Sequence, residues 1–98
     1  NETPGLGREL SRQGVVTMNK YEYQFVAVCP ENGAFVSYSL VIFHEQTILV
    51  EHIKTACALH RTGYHEAIAD DLYARFGGSQ IMKADHHGVL ITSLRGKP

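Results

Sequence analysis

The stretch YEYQFVAVCPENGAFVSYSLVIF, residues 21–43, decides the fold. From Tyr21 to Cys29 the odd positions Tyr21, Tyr23, Phe25, Ala27 and Cys29 are apolar, and Glu22 and Gln24 alternate with them. That period of two belongs to a strand with one buried face. Pro30-Glu31-Asn32-Gly33 reads as a turn, since Asn-Gly supplies the positive φ of a tight hairpin. A second strand runs from Ala34 to Phe43, rich in Val, Tyr, Ile and Phe and interrupted by Ser37 and Ser39. The two strands are expected to pair antiparallel.

Toward the C-terminus the period changes. His44-Glu45-Gln46 ends the second strand, and Val50, Ile53 and Cys57 recur at helical spacing, which predicts a helix over about residues 49–60. Tyr64, Ile68, Leu72 and Phe76 recur every fourth residue and predict a second helix with this stripe in the core. Thr62 is its expected N-cap and Gly77-Gly78 its stop. Ser79–Asp85 and Val89–Leu94 read as two further strands joined through His86-His87-Gly88. The order is therefore β-β-α-α-β-β, an α+β domain with a four-stranded antiparallel sheet and two helices on one face.

Toward the N-terminus, residues 1–17 carry little periodicity and read as a flexible lead-in, either a native extension or a tag remnant. Met18 is an alternative natural start, and residues 18–98 form the single expected domain. Ninety-eight residues with 44% apolar content suit one core and exclude fibrous and disordered classes. A domain of this size buries only about 60–65% of its unfolded surface, so association is a plausible further source of stability. A formal charge of −1, without blocks of like charge, argues against broad electrostatic capture of nucleic acid. The longest unbroken apolar run, Phe25-Val26-Ala27-Val28-Cys29, is far below the ~20 residues of a membrane span. No secretory pattern opens the chain, so a cytoplasmic location is the working expectation, with Cys29 and Cys57 as free thiols.

Several motifs fall on these elements in order: Cys29-Pro30-Glu31-Asn32-Gly33, Val50-Glu51, Arg61-Thr62-Gly63-Tyr64-His65-Glu66, Asp70-Asp71-Leu72 and Gly88-Val89-Leu90-Ile91. On these residues, spread over positions 21–94, the chain resembles the tunnelling-fold (T-fold) proteins. Within that fold it most resembles the nitrile reductases that act on 7-cyano-7-deazaguanine and their short archaeal amidine-forming relatives of archaeosine synthesis. The resemblance implies a homo-oligomer whose sheets join edge to edge into a barrel, with a purine-like or deazapurine-like heterocycle bound between subunits. It implies Cys29 as the nucleophile that attacks a nitrile carbon to give a thioimide, and Glu66 as the acceptor for the guanine-like edge. Glu51 is implied as a further contact to the heterocycle, and His65 as a neighbour that positions substrate or donates a proton. The chemistry suits these residue types: a thiolate is a strong nucleophile near neutral pH, and a carboxylate accepts two hydrogen bonds from an amidine-like N–H pair.

Two departures narrow the reading. Seven residues after Cys29, where the family places an acid, stands Val36. After Glu51 the chain reads His52-Ile53-Lys54-Thr55 in place of the serine- and lysine-rich stretch linked to the nicotinamide cofactor. The expectation is no cofactor, and, if the chain is an enzyme, a nitrile-acting or amidine-forming one that is not an NADPH reductase. The rival is a non-enzymatic oligomerisation or interaction module of the same fold that has lost the chemistry, and tRNA stays an open partner.

Plainer roles compete at each residue. A cysteine on an apolar strand behaves as a small hydrophobe. Glu66 in the first turn of a helix is favoured by the helix dipole alone, by roughly 0.3–1 kcal/mol. The six histidines invite zinc, with Cys57 and His60 three apart on one helix face and His86-His87 in a turn, as in a hydrolase of the cyclohydrolase type. No recognisable four-ligand pattern accompanies them, so no metal site is assigned.

Overall fold

The computed structural model describes residues 17–97. The lead-in expected over residues 1–17 thus lies, apart from Thr17, outside the described residues. Four strands and two helices follow one another as β1 (Asn19–Val28), β2 (Phe35–His44), α1 (Val50–Ala58), α2 (His65–Phe76), β3 (Ser79–His86) and β4 (Val89–Arg95). All neighbours in the sheet are antiparallel and the spatial order is β1-β2-β3-β4. The expected α+β order holds.

Register explains which face is buried. Phe25 pairs with Tyr38, Tyr38 with Ala84 and Ala84 with Ile91, while Leu40 pairs with Met82 and Met82 with Ser93. These residues share one pleat face, and Tyr38, Leu40, Ile42 and Met82 on it are fully buried beneath the helices. Ile53, Ala56 and Cys57 from α1, with Ile68, Ala69 and Leu72 from α2, complete the core. Truncating a side chain such as Leu72, which has no exposed surface, typically destabilises by about 2–5 kcal/mol.

Local details depart from the sequence reading in four places. Val50 does not join the core: it is exposed at the start of α1, and Ala56 takes the buried turn position beside Ile53 and Cys57. Helix α1 stops at Ala58. Tyr64, expected in the stripe of α2, is instead its exposed N-cap residue, and the buried stripe is His65, Ile68, Ala69 and Leu72. Thr62 is not the cap, because Arg61 to Gly63 run beside the end of β1: the Arg61 carbonyl accepts from the Val28 N–H at 2.7 Å, and the Gly63 N–H donates to the Val28 carbonyl at 3.3 Å. This strap ties the helix connection to the sheet end where both hairpins turn.

The turns follow from local chemistry. At the first hairpin Gly33 has φ +74° and the Asn32 side chain accepts from the Ala34 N–H at 2.9 Å. At the second, His87 and Gly88 both have positive φ, 56° and 91°, the signature of a two-residue type I′ turn. The Asn32 amide donates to His87 Nε2 at 2.6 Å, so the two hairpin tips are joined.

Candidate functional site

The tied sheet end opens into a cleft of about 220 Å3, lined by Cys29, Pro30, Tyr38, Gly63, Tyr64, His65, Glu66, His86 and Ile91. Each element delivers its side chain for a local reason. Cys29 follows the last residue of β1 and closes the hairpin: its N–H donates to the Ala34 carbonyl at 2.8 Å, which leaves the thiol half-buried at the rim. Tyr38 comes from the buried face of β2, His86 from the end of β3, and His65 and Glu66 from the first turn of α2. No side chain caps that turn, so the positive end of the helix dipole opens beside the cleft.

His65 is the pivot. It is 98% removed from solvent, with Nε2 at 3.1 Å from the Met82 carbonyl and Nδ1 at 3.1 Å from His86 Nε2. A carbonyl only accepts, so His65 carries its proton on Nε2; its bare Nδ1 then accepts from His86 Nε2–H. Burial holds the His65 pKa below its ordinary value, against the opposing pull of the Met82 carbonyl. His65 therefore starts as a neutral base with a defined tautomer. The rings of Tyr38, His65 and His86 form a triangle with centroids 5.2–5.8 Å apart, and Phe25 stacks on Tyr38 at 5.2 Å. Burial also raises the Tyr38 pKa, with the Cys29 and Glu66 charges adding to it, so the phenol stays protonated near neutrality.

Of the residues singled out from the sequence, Cys29, His65 and Glu66 line this one cleft, although residues 29 and 65 are far apart in the chain. Glu51 does not: it is an exposed residue of the first turn of α1 and lines none of this cavity. Val36 is buried in the core, on the same face as Tyr38. The Cys57–His60 pair serves packing. Cys57 is buried and its thiol is pushed up to about 12 by desolvation, while His60 Nε2 lies 2.6 Å from Asp71 Oδ2. Among the described residues no three metal-binding side chains converge. Tyr38 and His86 were missed as site residues. Tyr38 looked like any core aromatic, and His86 like part of a polar hairpin; only the register of β2, β3 and β4 brings them to Cys29. Tyr64 reinforces the rim, its hydroxyl donating to the Glu31 carboxylate.

Larger hollows, about 460 Å3 each, lie at the opposite end of the sheet around Met18, Phe43, Ser79 and Lys97. They lack the convergence of thiol, imidazoles and carboxylate that orients chemistry, so the smaller cleft is the candidate site.

A four-stranded antiparallel sheet with two helices on one face, in the order β-β-α-α-β-β, defines a T-fold-like α+β domain. Among solved structures, that of the archaeosine synthase QueF-Like in its apo form superposes with a TM-score of 0.71, covering 83% of this chain and 96% of that one. Identity is 18%, so the likeness is one of fold. No protein-family model matches the chain, and no curated protein matches it.

Proposed function

We propose that this domain assembles with copies of itself and binds a purine-like or deazapurine-like heterocycle, with Glu66 accepting the N–H edge of the base and Cys29 attacking a nitrile carbon. The observation that carries this reading is the meeting of Cys29, His65 and Glu66 in one cleft of a fold shared with an archaeosine synthase. The thiol supplies the nucleophile, the carboxylate a bidentate acceptor, and the buried neutral imidazole fixes their neighbourhood. Glu51 lies outside the cleft of its own chain, so its contact to the heterocycle comes from a second copy. None of these steps calls on a bound cofactor, and cytoplasmic work on a deazaguanine, free or carried in tRNA, fits the small, nearly neutral chain.

The test is intact-protein mass spectrometry after incubation with 7-cyano-7-deazaguanine, beside a Cys29→Ala variant. The expected result is a mass increase equal to the ligand that disappears in the variant. No adduct, together with no ligand-induced thermal shift, would overturn the reading. The second reading, a binding or assembly module without chemistry, is favoured by Val36, whose buried apolar side chain occupies the position of the acid expected from the resemblance. It is distinguished by a thermal shift without an adduct.

A further inference from the structure

The cleft has a feature that neither nucleophile nor base recognition uses. Tyr38 is 1% exposed, lines the cleft, and its hydroxyl has no hydrogen-bond partner among the described residues. A buried hydroxyl without a partner is disfavoured, and native proteins retain few of them. Its ring cannot swing away to find one, because Phe25 stacks on it with 14° between planes while His65 and His86 flank it. The missing partner therefore has to enter the cleft.

Apart from the thiol of Cys29, the nucleophile, the other side-chain donors on the cleft are already engaged. His65 Nε2–H is given to the Met82 carbonyl and His86 Nε2–H to His65 Nδ1. The Tyr64 hydroxyl is given to the Glu31 carboxylate, and Glu66, when ionised, only accepts. Beside that thiol, Tyr38 is the uncommitted side-chain donor that remains on the cleft among the described residues.

We propose, resting on the reading of Cys29 as nucleophile toward a nitrile, that the Tyr38 hydroxyl is the proton donor to the nitrogen that this attack leaves electron-rich. Cys29 Sγ forms a bond to the nitrile carbon as one C≡N π pair moves onto nitrogen. Tyr38 Oη–H supplies the proton to that nitrogen, and the proton lost by the Cys29 thiol returns to Tyr38 Oη. Thiol and nitrile thus combine into a thioimide with no further reactant. In the ground state the same hydroxyl donates to the nitrile nitrogen and aligns it.

The experiment compares the rate of adduct formation with 7-cyano-7-deazaguanine in the wild type and Tyr38→Phe, alongside ligand affinity by calorimetry and thermal unfolding. The expected result for Tyr38→Phe is a Tm at or above that of the wild type, since the hydroxyl removed has no partner among the described residues. Adduct formation should slow by ~100-fold or more, the scale of a lost general acid, with the loss falling on rate rather than on affinity. A rate equal to the wild type overturns the proposal and leaves the Cys29 reading standing. Binding without an adduct in the wild type also overturns it, while neither binding nor adduct removes both readings together. If Tyr38→Phe fails to fold, replacing all tyrosines by the more acidic 3-fluorotyrosine keeps the side chain in place. The pH profile of adduct formation should then move to lower pH, and an unmoved profile overturns the proposal.

Discussion

At the scale of single residues, environment separates groups of the same type. Cys57 lies at 1% exposure among Ile53, Ala56 and the sheet, and desolvation alone raises its thiol to about 12, whereas Cys29 sits half-buried at a hairpin rim. Native-state alkylation with iodoacetamide at pH 8 should therefore label Cys29 and spare Cys57, which peptide mapping will read directly. His65 gives a second residue-scale prediction. Its pKa is lowered in the folded state, so well above the ordinary value of 6.5 the ring is neutral whether folded or unfolded and its contribution does not change with pH. As pH falls through about 6.5, the unfolded chain takes up a proton that the buried ring resists, and stability declines toward the lower folded pKa. His86 and Arg95 add to this resistance and Glu66 opposes it. Urea midpoints should therefore drop between pH 7 and pH 5, and His65→Gln should flatten that slope. Asp71 behaves oppositely in position: burial works against its charge, yet hydrogen bonds from Arg75 and His60 hold its carboxyl below the usual range. Its contribution is present above the ordinary carboxylate pKa and is lost only as pH falls below it, outside the His65 window.

At the scale of elements, the helix ends rest on groups that local propensity does not reveal. Gln80, buried in β3, donates its amide to the Leu72 carbonyl at 3.1 Å and to the Gly77 carbonyl at 2.9 Å. It thus satisfies the last turn of α2 from the neighbouring strand. Gln80→Leu keeps the burial but leaves both carbonyls without that donor, so a loss of about 1–3 kcal/mol is expected, seen as a lower urea midpoint at unchanged m-value. The turn into β3 is equally constrained. Gly78 has φ +69°, and a Cβ there would collide with the Phe43 carbonyl, so only glycine fits where the chain re-enters the sheet beside β2. Alternation along β1 and β2, and the spacing of Ile68, Leu72 and the Gly77-Gly78 stop, were legible because strand and helix periods are set within a few residues. Tyr64 obeyed the same spacing and still fell outside the core, because the helix begins one residue later and the chain before it is strapped to Val28.

At the scale of the whole molecule, the face of the sheet away from the helices carries no covering element among the described residues. Val26, Phe35, Leu90 and Leu94 stand on it with more than half of their surface exposed, and among the described residues β1 and β4 each pair on one side only. Such edges and apolar surface are normally covered by partners. Light scattering at micromolar concentration should give a multiple of the chain mass, and a strict monomer would count heavily against assembly into a barrel. Phe35 is 80% exposed in the single chain, so Phe35→Asp should leave the fold intact by circular dichroism while lowering the oligomer mass. The same assembly is what would bring Glu51 of one copy to the cleft of another. Among the described residues no helix is long and apolar enough to cross a membrane.

The sequence by itself determined the element order, both hairpins and the Ile68 and Leu72 positions of the α2 stripe, and it offered the candidates Cys29, His65 and Glu66. The elements follow from short-range rules: the pleat repeats every two residues, the helix about every 3.6, and Asn-Gly accepts positive φ at small cost; the three candidates follow only from the resemblance to the T-fold family. Only the tertiary structure decided that Tyr38 and His86 stand beside Cys29, that the His65 tautomer is set by Met82, that Gln80 finishes α2, and that Glu51 lies apart from its own cleft. Strand register and helix docking bring these groups together across 9 to 57 residues of chain, counted from Cys29 to Tyr38 and from Cys29 to His86. That geometry is selected by the burial of the whole core, and no local spacing carries it.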